Sequence, residues 1–406
     1  MGLPAGHPGS HGAGLGWDVI FRGDQSGGHS RPAHPVRGDL DSILLPVGRD
    51  QAQSLAGRHP ESPLSGAETV CSAEELVPLP SVTAIVPNWN RRDLLERLLK
   101  ALARQTHPIE EVVLADNGST DGSAEMAEAA GARVIRMGRN AGFSCAVNAG
   151  VAAASTPWLA IVNNDVEPAP DWLEHLMEAA SHEDTWFAVG KLLNAAQHSS
   201  IDGTFDTLCR GACAWRAGNG RADGPQWAEP RRIRFAPFTA TLFRADLFQK
   251  IGPLDERFES YLEDVDFGLR CANKGFEGVY VPEAVATHAG SATLGAWHQD
   301  TVRRISRNQL LLVAKHFPKR WLLSHGWPVL VAQSLWGLVA ARHGAGGAFL
   351  RGKMEALGQF RAVRTAAAGE RGGEIGRILE ESEKDLLALQ QRTGFDLFWR
   401  AYFALT

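Results

Sequence analysis

The sequence has no surplus of positive charge. Its 406 residues hold 41 Lys and Arg against 46 Asp and Glu, a formal net charge of −5. That excludes a global basic field, and no nucleic-acid partner is expected. Cysteine is scarce and odd in number: Cys71, Cys145, Cys209, Cys213 and Cys271. No secretory signal is read ahead of them, so free thiols in a reducing compartment are expected rather than a disulfide framework. Cys209 and Cys213 have no second pair and no nearby His at zinc spacing, which argues against a zinc site. The glycine fingerprint of dinucleotide folds is missing, and so is a phosphate-binding P-loop; dinucleotide enzymes and ordinary NTPases are disfavoured. No apolar run reaches the ~20 residues of a membrane span. Trp321 to Ala341 comes nearest, but His325, Pro328, Gln333 and Ser334 interrupt it. Glycine and tryptophan are plentiful, yet neither is periodic.

What is present changes character near Ser81. Residues 1–80 are rich in Gly, Pro, His and Ser, with short apolar clusters at Val19-Ile20-Phe21 and Ile43-Leu44-Leu45. Such a segment buries too little to offset its ordering entropy and is expected to be a disordered extension. Its histidines, His7, His11, His29, His34 and His59, are too irregular for a metal site. From Val82 the pattern alternates. Val82–Val86 reads as a strand that stops at Pro87. Asn90 is a candidate N-cap for a helix carrying Leu94, Leu95, Leu98, Leu99 and Leu102. Val112–Ala115 is a second strand, ending in Asp116-Asn117-Gly118-Ser119-Thr120-Asp121-Gly122-Ser123. Arg133–Met137 is a third. A polar turn and a helix over Ala146–Ala154 lead to Trp158–Val162, a fourth strand that ends in Asn163-Asn164-Asp165. Alternating strand and helix predict βαβ units with a parallel sheet. Polar groups collect at the strand ends: Asn88, Trp89 and Asn90, then Asp116, then Asn140, then Asn163 and Asp165. Turn and capping duty explains each alone, but together they mark the rim where such sheets bind ligands.

These segments, with Asn140-Ala141-Gly142-Phe143-Ser144 and Asn148, resemble the family 2 glycosyltransferases, and most of all their rhamnosyltransferase-like branch. The resemblance spans about Ser81 to Pro318. It implies an α/β fold of GT-A type: a single Rossmann-like, mostly parallel sheet flanked by helices, here with a helical C-terminal extension. The domain division that follows is 1–80 as extension, 81–318 as catalytic domain and 319–406 as a helical C-terminal region. The implied activity is inverting transfer of a sugar, rhamnose being one candidate, from a nucleotide-diphosphate donor (dTDP-rhamnose or a UDP-sugar) to a hydroxyl of a glycan or lipid-linked acceptor in cell-surface polysaccharide synthesis.

The resemblance also assigns roles. Pro87, Asn88, Trp89, Asn90 and Asp116 would contact the nucleoside, with Asn140 and Gly142 in the same pocket and Asn163 and Asn164 beside them. A divalent cation, Mn²⁺ or Mg²⁺, would offset the diphosphate charge, held by Asp165 and His288. The family's usual metal motif has Asp at both ends of a three-residue unit. Asn163 replaces the first, so cation binding is expected to be weaker. The segment Glu263-Asp264-Val265-Asp266 would carry the general base, Asp264 first and Glu263 second, with Asp266 as a structural partner of Arg270. Capping of the following helix is the plainer reading of these acids. Two of Arg303, Arg304, Arg307 and Asn308 could reach the diphosphate, but they read most simply as a solvated basic face. Residues Trp186 to Arg234 are hard to read. Gly190-Lys191-Leu192 and Ile201-Asp202 hint at strands, and Trp215, Trp227 and Arg231–Arg234 suit either an acceptor-side insertion or a surface loop.

Beyond Phe317 the resemblance to the catalytic domain fades. Phe349, Leu350, Met354, Leu357 and Phe360 recur at helical spacing beside Arg351, Lys353, Arg361 and Arg364. That is the pattern of a basic amphipathic helix on an anionic membrane. With the aromatic stripe Phe395, Phe398, Trp399, Tyr402 and Phe403, it predicts a monotopic tail. The expected location is cytoplasmic, at the inner face of the cell membrane. A processive synthase is disfavoured because Phe317 stands where Gln should precede Arg320-Trp321. A non-catalytic sugar-nucleotide-binding or scaffold protein is the alternative, favoured only by Asn163.

Overall fold

The structure is a computed structural model and describes residues 79–290, 297–367 and 374–406. The expectations placed on residues 1–78 and on Ser291 lie outside the described residues. Val82–Asn88 forms β1, buried along its whole length. Its run of apolar residues suits a strand covered on both faces. Val82, Ala84 and Val86 pack into one core cluster, whereas Ile85 joins the other, so helices cover both faces. Next come α1 (Arg92–Leu102), β2 (Glu111–Asp116), α2 (Ser123–Ala129), β3 (Arg133–Arg136), α3 (Phe143–Ala153) and β4 (Trp158–Val162). The four strands are parallel in the order β3-β2-β1-β4. This register sets Asn88 beside Asp116 at one rim. β1 does not stop at Pro87. Pairing with β4 ends at Ile85, so the proline's missing N–H costs that ladder nothing.

The chain continues through β5 (Val166–Pro168), α4 (Trp172–Ala180), β6 (Phe187–Asn194), β7 (Gln197–Gly203), β8 (Asp206–Leu208), β9 (Ala214–Arg216), β10 (Arg231–Ile233), β11 (Ala240–Arg244), α5 (Ala245–Ile251), α6 (Glu263–Asn273) and β12 (Gly278–His288). β11 enters the sheet antiparallel between β4 and β6, and β12 runs parallel to β6. Along the path from β3 to β12 only β11 is reversed, so this sheet is mostly parallel and flanked by helices. The stretch from Trp186 to Arg234 is therefore not a surface loop. It supplies strands of the main sheet, and Trp215 and Trp227 are fully buried. Polar runs such as Gln197-His198-Ser199-Ser200 hide the strand pattern, because that end of β7 is exposed.

Among the described residues, five helices follow β12: α7 (Gln299–His316), α8 (Lys319–Arg342), α9 (Gly346–Ala366), α10 (Ile375–Thr393) and α11 (Leu397–Leu405). Among the described residues no helix is long and apolar enough to cross a membrane. Phe398, Trp399 and Tyr402 are core residues, not a membrane stripe. The Tyr402 hydroxyl donates to Glu383 at 2.6 Å, and Glu383 in turn binds the Arg210 guanidinium. α10 and α11 are thus tied to the β8–β9 hairpin.

Candidate functional site

The rim of β1, β2 and β4 is held by amides. The Asn88 side-chain amide is shared among Asp116 Oδ1 (3.2 Å), Ser119 Oγ (3.1 Å) and Ser123 Oγ (3.0 Å). Its oxygen accepts from Asn164 Nδ2 at 2.7 Å. Asn90 is not an N-cap. It sits at φ 59°, and its side-chain oxygen accepts from the Thr120 N–H at 2.9 Å. The free N–H of Arg92 at the start of α1 donates instead to Asp121 Oδ2. Asp116 is nearly buried, and each carboxylate oxygen has one contact, Oδ1 with Asn88 and Oδ2 with the Ser119 N–H. Each keeps a second lone pair for a ligand. Trp89 stands 37% exposed beside this network. Pro87 is buried within β1.

Asn140 and Gly142 join the rim through Asn117, whose amide donates to the Gly142 carbonyl and accepts from the Ala141 N–H. Gly142 has φ +96°, and a Cβ there would press on the Glu259 backbone at 3.0 Å. Only glycine allows both this conformation and this approach. The contact brings the turn before α3 against the loop that leads to the acidic motif.

Beyond the end of β4, Asp165 meets the last residue of β12. His288 Nε2 lies 3.3 Å from Asp165 Oδ1, and His288 Nδ1 lies 2.7 Å from Asp202 Oδ2. Burial works against the charged imidazole, but Asp202 and Asp165 outweigh it and hold the His288 pKa up at about 10. Burial works against the Asp165 carboxylate too, yet His288 leaves it below its ordinary value. Asn163 Oδ1 is buried without a hydrogen-bond partner. Asp202 went unread in the sequence because β7 itself was only hinted at.

The acidic motif opens α6. Asp266 is fully buried and bound by Arg270 (3.1 Å), Lys315 (2.9 Å) and His316 (2.7 Å). Burial would raise its pKa, but Arg270, Lys315 and the hydrogen bond to His316 drive it far down; it is a structural anion. Glu263 and Asp264 differ. Glu263 is buried, its Oε2 has no partner, and burial followed by the Asp264 charge pushes its pKa well up. The Asp264 side chain is 14% exposed and 3.8 Å from Arg216. Burial raises its pKa and Arg216 pulls it partway back. Arg216 also contacts Asp206 at 3.4 Å. Burial leaves Asp206 at about 7 despite that contact, and Asp264 adds to the rise. Neither Arg216 nor Asp206 carries a sequence signal for this role.

The loop before the motif is strained. Glu259, Tyr261 and Leu262 all have φ near +60° to +70° without being glycine. Arg307 and Asn308 hold it. Arg307 donates to Glu259 Oε1 (2.6 Å) and the Phe258 carbonyl (3.0 Å). The Asn308 amide reaches the carbonyls of Phe258, Ser260 and Tyr261 at 2.9, 3.0 and 2.6 Å. Both residues are buried, so this part of α7 is not a solvated basic face.

Comparisons with known proteins bear on the family and the fold. The family description "Glycosyl transferase family 2" matches residues 83–252. An N-acetylglucosaminyl-diphospho-decaprenol L-rhamnosyltransferase of Mycobacterium tuberculosis is 31% identical over 225 residues, covering 50% of this chain and 73% of the relative. The O-antigen biosynthesis protein RfbC of Myxococcus xanthus is 30% identical over 53% of this chain, but that match spans only 18% of RfbC. Among solved structures, GalNAc-T7 with UDP, GalNAc and Mn²⁺ superposes with a TM-score of 0.54 at 15% identity, over 78% of this chain and 58% of the other. That is a likeness of fold.

Proposed function

The chain belongs to the family 2 glycosyltransferases, on the rhamnosyltransferase-like side, and from this premise we propose that it is an inverting enzyme. It moves a sugar, rhamnose in the reading we favour, from a nucleotide-diphosphate donor to a hydroxyl of a glycan or lipid-linked acceptor in cell-surface polysaccharide synthesis. The observation that carries this is the contrast inside the acidic motif. Asp266 is locked into ion pairs, whereas Asp264 is partly accessible, has a raised pKa and lies beside a guanidinium.

The amide rim around Asn88, Asn90, Asp116 and Asn164 binds and orients the nucleoside, with Trp89 as an exposed ring beside it. Asp264 accepts the proton of the acceptor hydroxyl as that oxygen bonds to the anomeric carbon and the bond from carbon to diphosphate oxygen breaks. One carboxylate suffices, because no covalent intermediate forms. A raised pKa makes Asp264 a stronger proton acceptor, and such a base contributes about 10²–10⁴ in rate. The buried Glu263, its pKa pushed well up by burial and by the Asp264 charge, favours its protonated form and leaves the base role to Asp264.

The residues present suit a divalent cation. Asp165 and His288 approach to 3.3 Å, close to the spacing of two ligands on one ion with bonds of about 2.1 Å. Asp202 fixes the other ring nitrogen, and the Asn163 amide oxygen is unengaged. Among the described residues no group of three His, Cys, Asp or Glu is placed to hold an ion by itself. Asp165 and His288 would supply two protein donors, as Mn²⁺ or Mg²⁺ beside substrate phosphates requires. When bound, the cation would neutralise the diphosphate leaving group.

The test is Asp264→Asn with sugar nucleotides, Mn²⁺ present or absent. Turnover should fall about 10²–10⁴-fold, while donor-induced thermal stabilisation remains. Near wild-type transfer by that variant would remove Asp264 from the base role. A wild type that binds donor but never turns it over would favour a sugar-nucleotide-binding scaffold instead.

A further inference from the structure

α8 and α9 form an antiparallel hairpin laid over α7. Trp336 Nε1 donates to Ser306 Oγ from α8, and Lys353 Nζ donates to the Ser306 carbonyl from α9. Gly352 lets α9 settle close; a Cβ there would stand 2.2 Å from the Arg303 carbonyl oxygen. The inward faces are therefore accounted for: Val331, Ala332, Trp336 and Ala340 on α8, Ala348, Gly352, Ala356 and Val363 on α9.

The outward faces are apolar too. On α8, Leu323, Trp327, Leu330 and Leu338 are 58–89% exposed, at positions i, i+4, i+7 and i+15. On α9, Leu350, Met354 and Leu357 are 62–71% exposed, at i, i+4 and i+7. Contacts of Gly337 with Phe349, and of Lys353 with Gln333, set the hairpin register. That register brings Leu338 level with Leu350 and Leu330 level with Leu357. Leu405, at the end of α11, adjoins Trp327 through a hydrogen bond of 2.8 Å. Isolated exposed leucines are ordinary, but a two-helix stripe is an interaction surface.

The charge around it selects the occupant. Between Lys319 and Ala367 lie seven Lys or Arg and one acid, Glu355, in a chain that is acidic overall. Glu355 is turned inward onto Arg303 at 2.7 Å. Lys319, Arg320, Arg342, Arg351 and Arg361 remain exposed around the stripe. Apolar residues rimmed by basic ones, with Glu355 of the hairpin paired to Arg303, complement an anionic lipid surface.

We infer that the outer face of the α8–α9 hairpin docks the protein onto an anionic lipid bilayer. The inference deepens the proposed function and rests on it for its purpose alone: to meet an acceptor carried in a membrane. α7 lies between the docking face and the strained loop that Arg307 and Asn308 hold. The acids are then about two helix layers, the hairpin and α7, roughly 20 Å, behind that face. Of the apolar residues of the expected amphipathic helix, Leu350, Met354 and Leu357 are exposed, whereas Phe349 and Phe360 are half-buried. Lys353 and Arg364, counted with it in the sequence, bind inward carbonyls.

Co-sedimentation of the full chain with vesicles tests this, using phosphatidylcholine alone and phosphatidylcholine mixed with phosphatidylglycerol. Binding is expected to the anionic vesicles and to weaken with salt. The variants L350S/M354S/L357S and R351E/R361E, with unchanged thermal melting, should each lower partitioning by more than about tenfold. Retention of the full chain in the supernatant with both vesicles overturns the proposal, as does equal binding by these variants. Sedimentation velocity without lipid provides the other arm. A dimer that L350S/M354S/L357S dissociates assigns the face to a second copy and also overturns it. Donor-induced thermal shifts in vesicle-free solution report on the sugar-nucleotide reading separately, so either reading can fail without the other.

Discussion

Asn88 shares its amide among Asp116, Ser119 and Ser123 and accepts from Asn164, whereas Asp206, Glu263 and Asp264 crowd around the guanidinium of Arg216. The first region is built on side-chain amides whose hydrogen bonds are made. The second holds more carboxylates than its arginine can offset, next to a loop with three strained residues. A satisfied network fixes a ligand's position at low cost. An unsatisfied one keeps a group ready to accept a proton, and its free energy must be supplied by the surrounding packing. Asp264→Asn is the strongest way to break this contrast, because it removes the proton acceptor and leaves the rim untouched.

The next largest effect concerns the clamp on the loop. Asn308 is completely buried, and its amide serves three carbonyls. Asn308→Ala removes that donor from the Ser260 and Tyr261 carbonyls, while Arg307 still serves Phe258, and should destabilise the protein by about 2–3 kcal/mol. If strain is specific to the acid region, kcat should fall in this variant while donor affinity measured by calorimetry is preserved. Loss of donor affinity in proportion would show that the two regions are a single cooperative unit.

How legible each region was follows from how it is built. The rim comes from consecutive βα units, so Asn88, Asp116 and Asn163-Asn164-Asp165 each end a strand that its own apolar run announces. β4 falls at Trp158–Val162, where the pattern put it. The acid pocket draws on residues far apart in the chain: Asp206 and Arg216 from a hairpin, Asp264 from a helix start, Asn308 from α7. Asp202 reaches His288 from a β7 whose exposed polar end conceals it. Arg307 looked like a surface arginine because nothing local shows that α7 packs onto a carbonyl-lined loop. The aromatic stripe of α11 and the basic one of α9 have the same periodicity. Only packing separates the buried Trp399 from the exposed Met354.

Asp202 tests whether the cation corner belongs with the satisfied region. It holds His288 Nδ1 at 2.7 Å and leaves Nε2 toward Asp165. Carboxylates behind a histidine ligand orient it and raise its basicity, and losing one costs about 10–100-fold in metal affinity. Asp202→Asn should therefore weaken Mn²⁺ binding, followed by electron paramagnetic resonance, by at least about tenfold. Unchanged affinity would mean that Asp202 has no part in orienting the ring.

The smallest effect is on stability, and its sign is the sharpest check on the acid region. Burial lifts Asp206 from its ordinary carboxylate value to about 7, with Arg216 opposing and Asp264 assisting. In the folded state it keeps its proton where the unfolded chain has lost it. Unfolding between about pH 4 and pH 7 therefore releases a proton, and stability from this group falls as pH rises through that window. Asp206→Asn removes the titration while keeping the shape. Relative to wild type, the variant should gain stability progressively from pH 5 to pH 8, by a few degrees in Tm, on the order of 1 kcal/mol. A pH-independent difference in melting would mean that Asp206 is already ionised at pH 5, paired with Arg216. The three acids would then be no more frustrated than the amide rim.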